Sequence, residues 1–148
     1  MSTRPPRPAG MPWLSPYLAV KDAGAAADFY ERAFGFEKRM QMPGPDGKPG
    51  HTEMAYRDAL IMFGPETGGD GKCKSPATLG VNSPVTLYVY CDDVDALFGR
   101  ATAAGVKVDF PPTTMFWGDR ICKVTDPDGH GWNFATNVAD FDPSKAPC

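Results

Sequence analysis

The stretch that decides the fold is Ser15-Pro-Tyr-Leu-Ala-Val-Lys-Asp-Ala-Gly-Ala-Ala-Ala-Asp-Phe-Tyr-Glu-Arg-Ala-Phe-Gly35. The residues from Leu14 to Val20 are mostly apolar and predict a buried strand. Asp22 is a typical helix N-cap, and the apolar residues after it recur at the spacing of one helix face. Gly35 is typical of a helix end. The stretch therefore predicts a strand followed by an amphipathic helix.

Three further strands are predicted in the first half of the chain. The first is residues 37–42, and residues 51–56 and 59–63 form a hairpin across Arg57-Asp58. Residues 65–82 are rich in glycine and proline, which predicts a long loop or linker.

The same order of elements then repeats. Residues 83–91 predict a strand, Asp92 or Asp93 begins a helix, and Gly105 ends it, 70 residues after Gly35. Three more strands are predicted at 106–110, 119–125 and 130–136, with a loop that begins at Pro111-Pro112. One strand–helix–three-strand unit cannot bury both faces of its sheet, whereas two units can. We therefore expect helices on the outside and sheets that curve round a shared interior.

Composition excludes several kinds of function. A chain of 148 residues suffices for one domain or two small modules with a common core. The 15 basic and 18 acidic residues give a net charge of −3, which argues against a nucleic-acid-binding surface, since phosphate recognition needs a basic excess. No apolar run approaches the ~18 residues of a membrane-spanning helix. Four dispersed cysteines and a proline-rich N-terminal segment without an apolar stretch predict free thiols in the cytoplasm.

A set of motifs spans residues 12–138: Tyr17-Leu-Ala-Val-Lys-Asp-Ala-Gly, Asp28-Phe-Tyr-Glu-Arg-Ala-Phe-Gly35, Cys91-Asp-Asp-Val-Asp-Ala96 and Asp126-Pro-Asp-Gly129. In this order they resemble the vicinal oxygen chelate superfamily, which includes glyoxalase I, bleomycin-resistance proteins and extradiol dioxygenases. Three shorter strings look like its demethylubiquinone-methyltransferase-like branch, namely His51-Thr-Glu-Met, Trp117-Gly-Asp-Arg120 and Gly129-His-Gly-Trp132. No glycine-rich nucleotide loop supports a methyltransferase activity.

The resemblance implies where a metal would bind. Metal-dependent members place His, Gln or Glu ligands on the first and last strands of each half, and these positions carry over to Ser15, Met62, Thr86 and Asn133. None of the four is His, Asp or Glu, and a methionine thioether does not suit a hard divalent cation. We expect no metal at these positions, and a divalent metal at a relocated site is the alternative.

Strand alternation predicts a tyrosine-lined cup. If Ser15 and Thr86 face a cavity, the same side carries Tyr17, Met62, Tyr88, Tyr90 and Asn133. Apolar walls with a few hydroxyl groups suit a flat or amphipathic organic ligand. The alternative is that these residues fill a closed core.

The polar candidates lie beside this cup. His51 and Glu53 are two apart on one strand, so they share a face, as an acid/base pair, as ligand contacts, as two ligands of an atypical metal site or as a solvent-exposed face. Trp117 would close the cavity and Arg120 would bind an anionic group, unless the string is a turn with an Asp119–Arg120 surface pair.

The sequence thus predicts an α+β protein of two βαβββ modules around a cavity, at 12–64 and 83–138, with a linker at 65–82, a disordered lead-in at 1–11 and a tail at 139–148. The expected function is cofactor-free binding of a small hydrophobic or aromatic compound, in a homodimer of the kind common in the resembled superfamily. The alternatives are a lyase, isomerase or dioxygenase with metal at His51 and Glu53, or a metal-free enzyme with either as base. The expected ligand contacts are Tyr17, His51, Glu53, Met62, Tyr88, Trp117, Arg120 and Asn133.

Overall fold

A computed structural model describes residues 3–66 and 72–147. The first module consists of β1 (Tyr17–Val20), α1 (Ala23–Phe34), β2 (Glu37–Pro43), β3 (Pro49–Tyr56) and β4 (Ala59–Pro65). A short helix α2 (Pro76–Leu79) precedes the second module, which consists of β5 (Thr86–Tyr90), α3 (Val94–Ala103), β6 (Lys107–Thr114), β7 (Asp119–Thr125) and β8 (Gly131–Asn137). A 3₁₀ helix (Pro143–Lys145) follows. Within the described residues, every helix is too short or too polar to cross a membrane.

Each module forms a four-stranded mixed sheet of the same topology. The strand orders are β1-β4-β3-β2 and β5-β8-β7-β6, so the first and last strands of each module are parallel neighbours. Tyr17 pairs with Met62 in the first sheet, and Tyr88 pairs with Asn133 in the second. Both pairs are 71 residues apart along the chain, which confirms the predicted repeat to within one residue.

The first helix begins and ends where the sequence predicts. The Asp22 carboxylate accepts a hydrogen bond from the Ala25 amide at 2.9 Å, and Gly35 has φ +78°, which favours glycine. Arg100 of α3 donates from its guanidinium to the carbonyls of Glu31 and Arg32, each at 2.7 Å. The second module therefore helps to cap the first helix of the first module.

One aromatic core belongs to both modules. The ring centroid of Phe34 on α1 lies 4.7 Å from that of Phe134 on β8, and 5.1 Å from that of Trp132. All three side chains are fully buried, as the sequence predicts for Trp132. Burial of a large aromatic side chain contributes roughly 1.5–3 kcal/mol. The helix-facing sides of the two sheets thus share a single hydrophobic core.

The expected outer position of the helices and the expected enclosure of a cavity are wrong for this chain. Helices α1 and α3 contact each other at the common core, and the two sheets are not closed around an interior. The opposite sheet faces are exposed, with Tyr17 and Tyr90 each 58% accessible. The physical reason is that the most apolar stripes of both helices and both sheets are buried against one another, which leaves the tyrosine-bearing faces open. We call these the open faces.

Buried polar contacts join the modules at the turn between β7 and β8. Asp126 accepts hydrogen bonds from the Tyr30 hydroxyl at 2.6 Å and from the Trp132 indole at 2.9 Å. Asp128 accepts from the Lys21 amide, and the His130 imidazole donates to the Ala19 carbonyl at 2.8 Å. The Asp126-Pro-Asp-Gly129 motif is therefore a structural junction.

Element boundaries differ from the prediction at a few places. Strand β6 continues through Pro111-Pro112 to Thr114, because it is an edge strand with register shifts, where proline costs no ladder hydrogen bond. Asp93, rather than Asp92, is the N-cap of α3. Within the predicted linker the structure places α2, with Ser75 as its N-cap. Residues 67–71 of that linker lie outside the described part of the chain.

Candidate functional site

The open face of the first sheet carries a row of side chains across three strands. Tyr17 pairs with Met62, Met62 with Glu53, and Glu53 with Met40. Leu18 and Val20, the neighbours of Ala19 in β1, are buried in the core, as alternation predicts. Glu53 is only 8% exposed, so this carboxylate lies in a sheltered position.

His51 lies at one end of this face, between a phenol and a carboxylate. Its ring stacks on that of Tyr17, with centroids 5.6 Å apart, and its Nδ1 is 3.1 Å from the Tyr17 hydroxyl. Its Nε2 is 3.8 Å from a Glu53 carboxylate oxygen. Burial of Tyr17 and the nearby Cys73 thiol raise the pKa of the phenol, so Tyr17 is neutral at pH 7. The arrangement can accept or deliver a proton at the exposed edge of the phenol.

The open face of the second sheet is built around Asp119, the first residue of β7, which is 3% exposed. One carboxylate oxygen accepts hydrogen bonds from the hydroxyls of Tyr88 at 2.7 Å and Tyr90 at 2.8 Å. The other accepts from the Asn137 amide at 2.9 Å. The Trp117 indole in turn donates to the Tyr88 hydroxyl at 3.3 Å. One buried carboxylate thus fixes the positions of two exposed tyrosines.

The hydrogen bonds set the charge states at this face. Burial by itself would raise the pKa of Asp119, but the bonds from Asn137, Tyr88 and Tyr90 outweigh it and lower the pKa. Burial raises the pKa of Tyr88 to about 12, and its bond to Asp119 adds to the effect. At pH 7 the face therefore holds one ionised carboxylate beneath two neutral phenols.

The structure divides the predicted site residues between the two open faces. Tyr17, His51, Glu53 and Met62 lie together on the first face, and Tyr88, Trp117 and Asn133 lie on the second. Arg120 joins neither group, because residues 119 and 120 point to opposite sides of β7. The guanidinium of Arg120 binds the Asp95 carboxylate of α3 with two hydrogen bonds, of 2.8 and 2.9 Å. It pairs with Asp95 across the helix side of the sheet, rather than with Asp119.

Asp119, Tyr90 and Asn137 complete the second face. Alternation indicated that Tyr90 shares the face of Tyr88, but the sequence did not single it out as a ligand contact. Asp119 and Asn137 pair across β7 and β8. A usable signal existed for Asp119, since Cys122 and Val124 have the parity of Arg120 and are apolar, which assigns Asp119 to the other face.

The four positions that the resemblance assigns to a metal do not suit one. Met62 offers a thioether, and Ser15, Thr86 and Asn133 offer neutral oxygens. The Ser15 hydroxyl and the Asn133 amide oxygen are buried without a hydrogen-bond partner, but neutral donors beside a thioether bind a divalent cation poorly. Across residues 3–66 and 72–147, no three His, Cys, Asp or Glu side chains are grouped as metal ligands.

The thiols offer no activated nucleophile. Cys122 is fully buried in the core, and burial raises the pKa of its thiol to about 11. Burial also raises the pKa of Cys91. Both thiols are protonated at neutral pH and act as apolar side chains.

The fold and these faces define a class of protein. Residues 10–134 match the family model of the Glyoxalase/Bleomycin resistance protein/Dioxygenase superfamily, and the chain belongs to that superfamily. An uncharacterized protein of Mycobacterium bovis is 40% identical over 132 residues, which cover 87% of this chain and 86% of the relative.

Solved structures have the same fold. TioX from Micromonospora sp. ML1 superposes with a TM-score of 0.65 at 27% identity, over 84% of this chain and 98% of TioX. A bleomycin-binding protein in complex with bleomycin superposes with a TM-score of 0.61 at 20% identity, over 86% of this chain and 99% of that protein.

Proposed function

We propose that the protein binds a small hydrophobic or aromatic compound against its open sheet faces, without a metal at the usual positions of the superfamily. The observation that carries the proposal is the exposure of large apolar side chains on faces that also hold fixed polar groups. Tyr17, Tyr88, Tyr90 and Met40 are between 41% and 58% exposed. Clustered exposed aromatic groups mark a binding surface more often than a solvated one.

We further propose that two copies of the chain form the working unit, as the resemblance implies. A single open face shields only one side of a planar ligand, since the sheets of one chain are not closed. A second copy placed against it would supply another wall and would bury the exposed tyrosines. Size-exclusion chromatography with light scattering tests this proposal, and a monomer at micromolar concentration with and without ligand would contradict it.

The binding test is a screen of planar aromatic compounds by calorimetry, with variants of the open faces. Tyr17→Ser and Tyr90→Ser each remove an exposed aromatic side chain, and Leu79→Ser on α2 removes an equally exposed apolar side chain outside the sheets. We expect the tyrosine variants to weaken binding at least tenfold and Leu79→Ser to leave it unchanged. Equal losses in all three variants would contradict the proposed site.

A second candidate function is metal-free acid–base catalysis by His51. It is favoured by the 3.1 Å contact of His51 with Tyr17 and the 3.8 Å separation of His51 from Glu53. Turnover of a bound compound in chelator-treated protein, lost in His51→Ala, would support it. Unchanged turnover in that variant would exclude His51 as the base.

The alternative with a relocated metal at His51 and Glu53 is tested by metal analysis. Mass spectrometry of untagged, metal-replete protein should find only background metal in the native chain and in His51→Ala. Near-stoichiometric metal that disappears in the variant would replace the binding proposal with a metalloenzyme. A cytoplasmic location also belongs to the proposal, since free thiols such as Cys122 favour a reducing compartment.

A further inference from the structure

We infer that the compound bound at the second open face carries a positive charge, so that the ligand class is an organic cation with an apolar body. This inference rests on the proposed binding function and deepens it. The geometry behind it is the pair of tyrosines, Tyr88 and Tyr90, anchored on the buried carboxylate of Asp119 and exposed to a neighbouring cleft.

The tyrosine hydroxyls are fixed as donors toward the protein. Each uses its single proton in a bond to Asp119, at 2.7 and 2.8 Å. Tyr88 also accepts from the Trp117 indole, whereas no hydrogen bond to the Tyr90 oxygen from another described residue is present. The free lone pairs of Tyr90 therefore face solvent and can only accept, which suits an N–H donor from a ligand.

The two rings present their surfaces as well as their hydroxyls. The ring planes of Tyr88 and Tyr90 are inclined by 61°, with centroids 5.5 Å apart, and both side chains are more than 40% exposed. Two inclined aromatic faces attract a cation placed between them through the negative charge density of the rings. The same rings supply apolar contact for the body of the ligand.

The charges around the rings favour a cation too. A cleft of about 330 Å³ lies between these tyrosines and the β3–β4 hairpin, and its charged lining residues are Arg57, Asp58 and Asp92. Arg57 is already paired with Asp92. Asp58 and the buried Asp119 then give the cleft an excess of negative charge.

The cations nearest along the strand do not neutralise Asp119. The guanidinium of Arg120 is held by Asp95 on the other side of the sheet. Lys123 shares the open face, but its Cε lies beside Gly131, at the opposite end of the strands from Asp119 and Asn137. Within the described residues, Asp119 takes part in no ion pair, so a bound cation would be its first charged partner.

The test compares two probes of nearly the same shape, phenyltrimethylammonium and neutral tert-butylbenzene, titrated by calorimetry at equal ionic strength. We expect the native protein to bind the cation at least tenfold more tightly, on the order expected for a desolvated cation–aromatic contact. Similar affinities for the two probes would overturn the inference and leave the binding function standing. Binding of neither probe, with no hit in the aromatic screen, would instead remove the binding function itself.

Two variants locate the preference. Asp119→Asn keeps the shape of the side chain and should reduce the preference for the cation to below about threefold. Asp95→Asn makes the same charge change on the helix side and should leave the preference intact. An unchanged preference in Asp119→Asn, or an equal loss in Asp95→Asn, would overturn the inference.

A surface variant covers the case in which Asp119→Asn fails to fold. Asp58→Lys reverses a charge at an exposed hairpin turn that lines the cleft. It should weaken binding of phenyltrimethylammonium severalfold and leave tert-butylbenzene unaffected. Equal affinity of the variant and the native protein for the cation would contradict a charge-selective cleft.

Discussion

The hydroxyl of Tyr17 lies above the backbone of Gly64, only 2.8 Å from the point that a β-carbon at residue 64 would occupy. The same hydroxyl is 3.1 Å from Nδ1 of His51. The absence of a side chain at Gly64 therefore allows the phenol to reach the imidazole across the sheet.

Gly64→Ala should separate Tyr17 from His51 with little effect on stability. The new methyl group displaces the end of an exposed side chain, so the free energy of unfolding should change by no more than about 1 kcal/mol. Nitrogen NMR shifts of the His51 ring should change, as they would in Tyr17→Phe. Gly131→Ala is the matched control, because its β-carbon would meet nothing closer than 3.6 Å. An unchanged His51 spectrum in Gly64→Ala would contradict the contact.

Replacement of Asp119 should change the alkaline titration of the second open face. Burial and the bond to Asp119 keep Tyr88 protonated up to a pKa of about 12. In Asp119→Asn the negative charge is gone, so phenolate absorbance at 295 nm should appear at lower pH than in the native protein. Asp95→Asn should titrate like the native chain. Identical curves for all three proteins would show that Asp119 does not act on the tyrosines.

Tyr30→Phe should destabilise the junction between the modules. The buried hydroxyl donates to Asp126 at 2.6 Å, and its loss removes one of the bonds to a buried carboxylate. We expect a loss of about 1–3 kcal/mol in the free energy of unfolding, measured with denaturant. Burial raises the pKa of Tyr30 well above its usual value, so the native state also loses stability as pH rises above the unfolded pKa of about 10. The variant should lack the part of this alkaline loss that is due to Tyr30, and a loss as large as in the native protein would contradict the assignment.

Glu66→Gln should flatten the acid side of the stability curve. The Glu66 carboxylate accepts bonds from Ser75 and Thr78, which lower its pKa from 4.5 to about 2. A depressed folded pKa contributes stability that is present above 4.5 and is lost as pH falls toward 2. Solvent screening reduces the size of the effect because the group is near the surface. Denaturant midpoints at pH 6 and pH 3 should differ less in the variant, and an equal difference would refute the prediction.

Local patterns predicted the elements and the sidedness of the strands well. The helix from Ala23 to Phe34 has the predicted limits, because a capping aspartate and a terminal glycine define both ends. In β5, the aliphatic residues contact the core and the tyrosines are exposed, as a period of two requires. Arg120 was misplaced because its chemistry was weighed and its strand parity was not. The apolar partners of that parity, Cys122 and Val124, show that it belongs to the helix side.

The relative placement of the modules could not be predicted from these patterns. Alternation shows which side of each strand is apolar, but the same stripes are buried whether the helices lie outside a closed cavity or between two sheets. Contacts between residues far apart in sequence decide the matter, such as Phe34 with Phe134. Asp119 was likewise missed as an anchor, since only the fold brings Tyr88, Tyr90 and Asn137 to one carboxylate.

The shared aromatic core has a consequence for any attempt to divide the chain. Although the sequence repeats, a half-chain would expose the wall of rings that its other half covers, and Arg100 would have no helix end to cap. Two fragments cut between residues 67 and 71 should therefore be insoluble or unfolded when produced alone, and should regain structure when co-expressed. The two halves are alike in architecture but behave as a single cooperative folding unit.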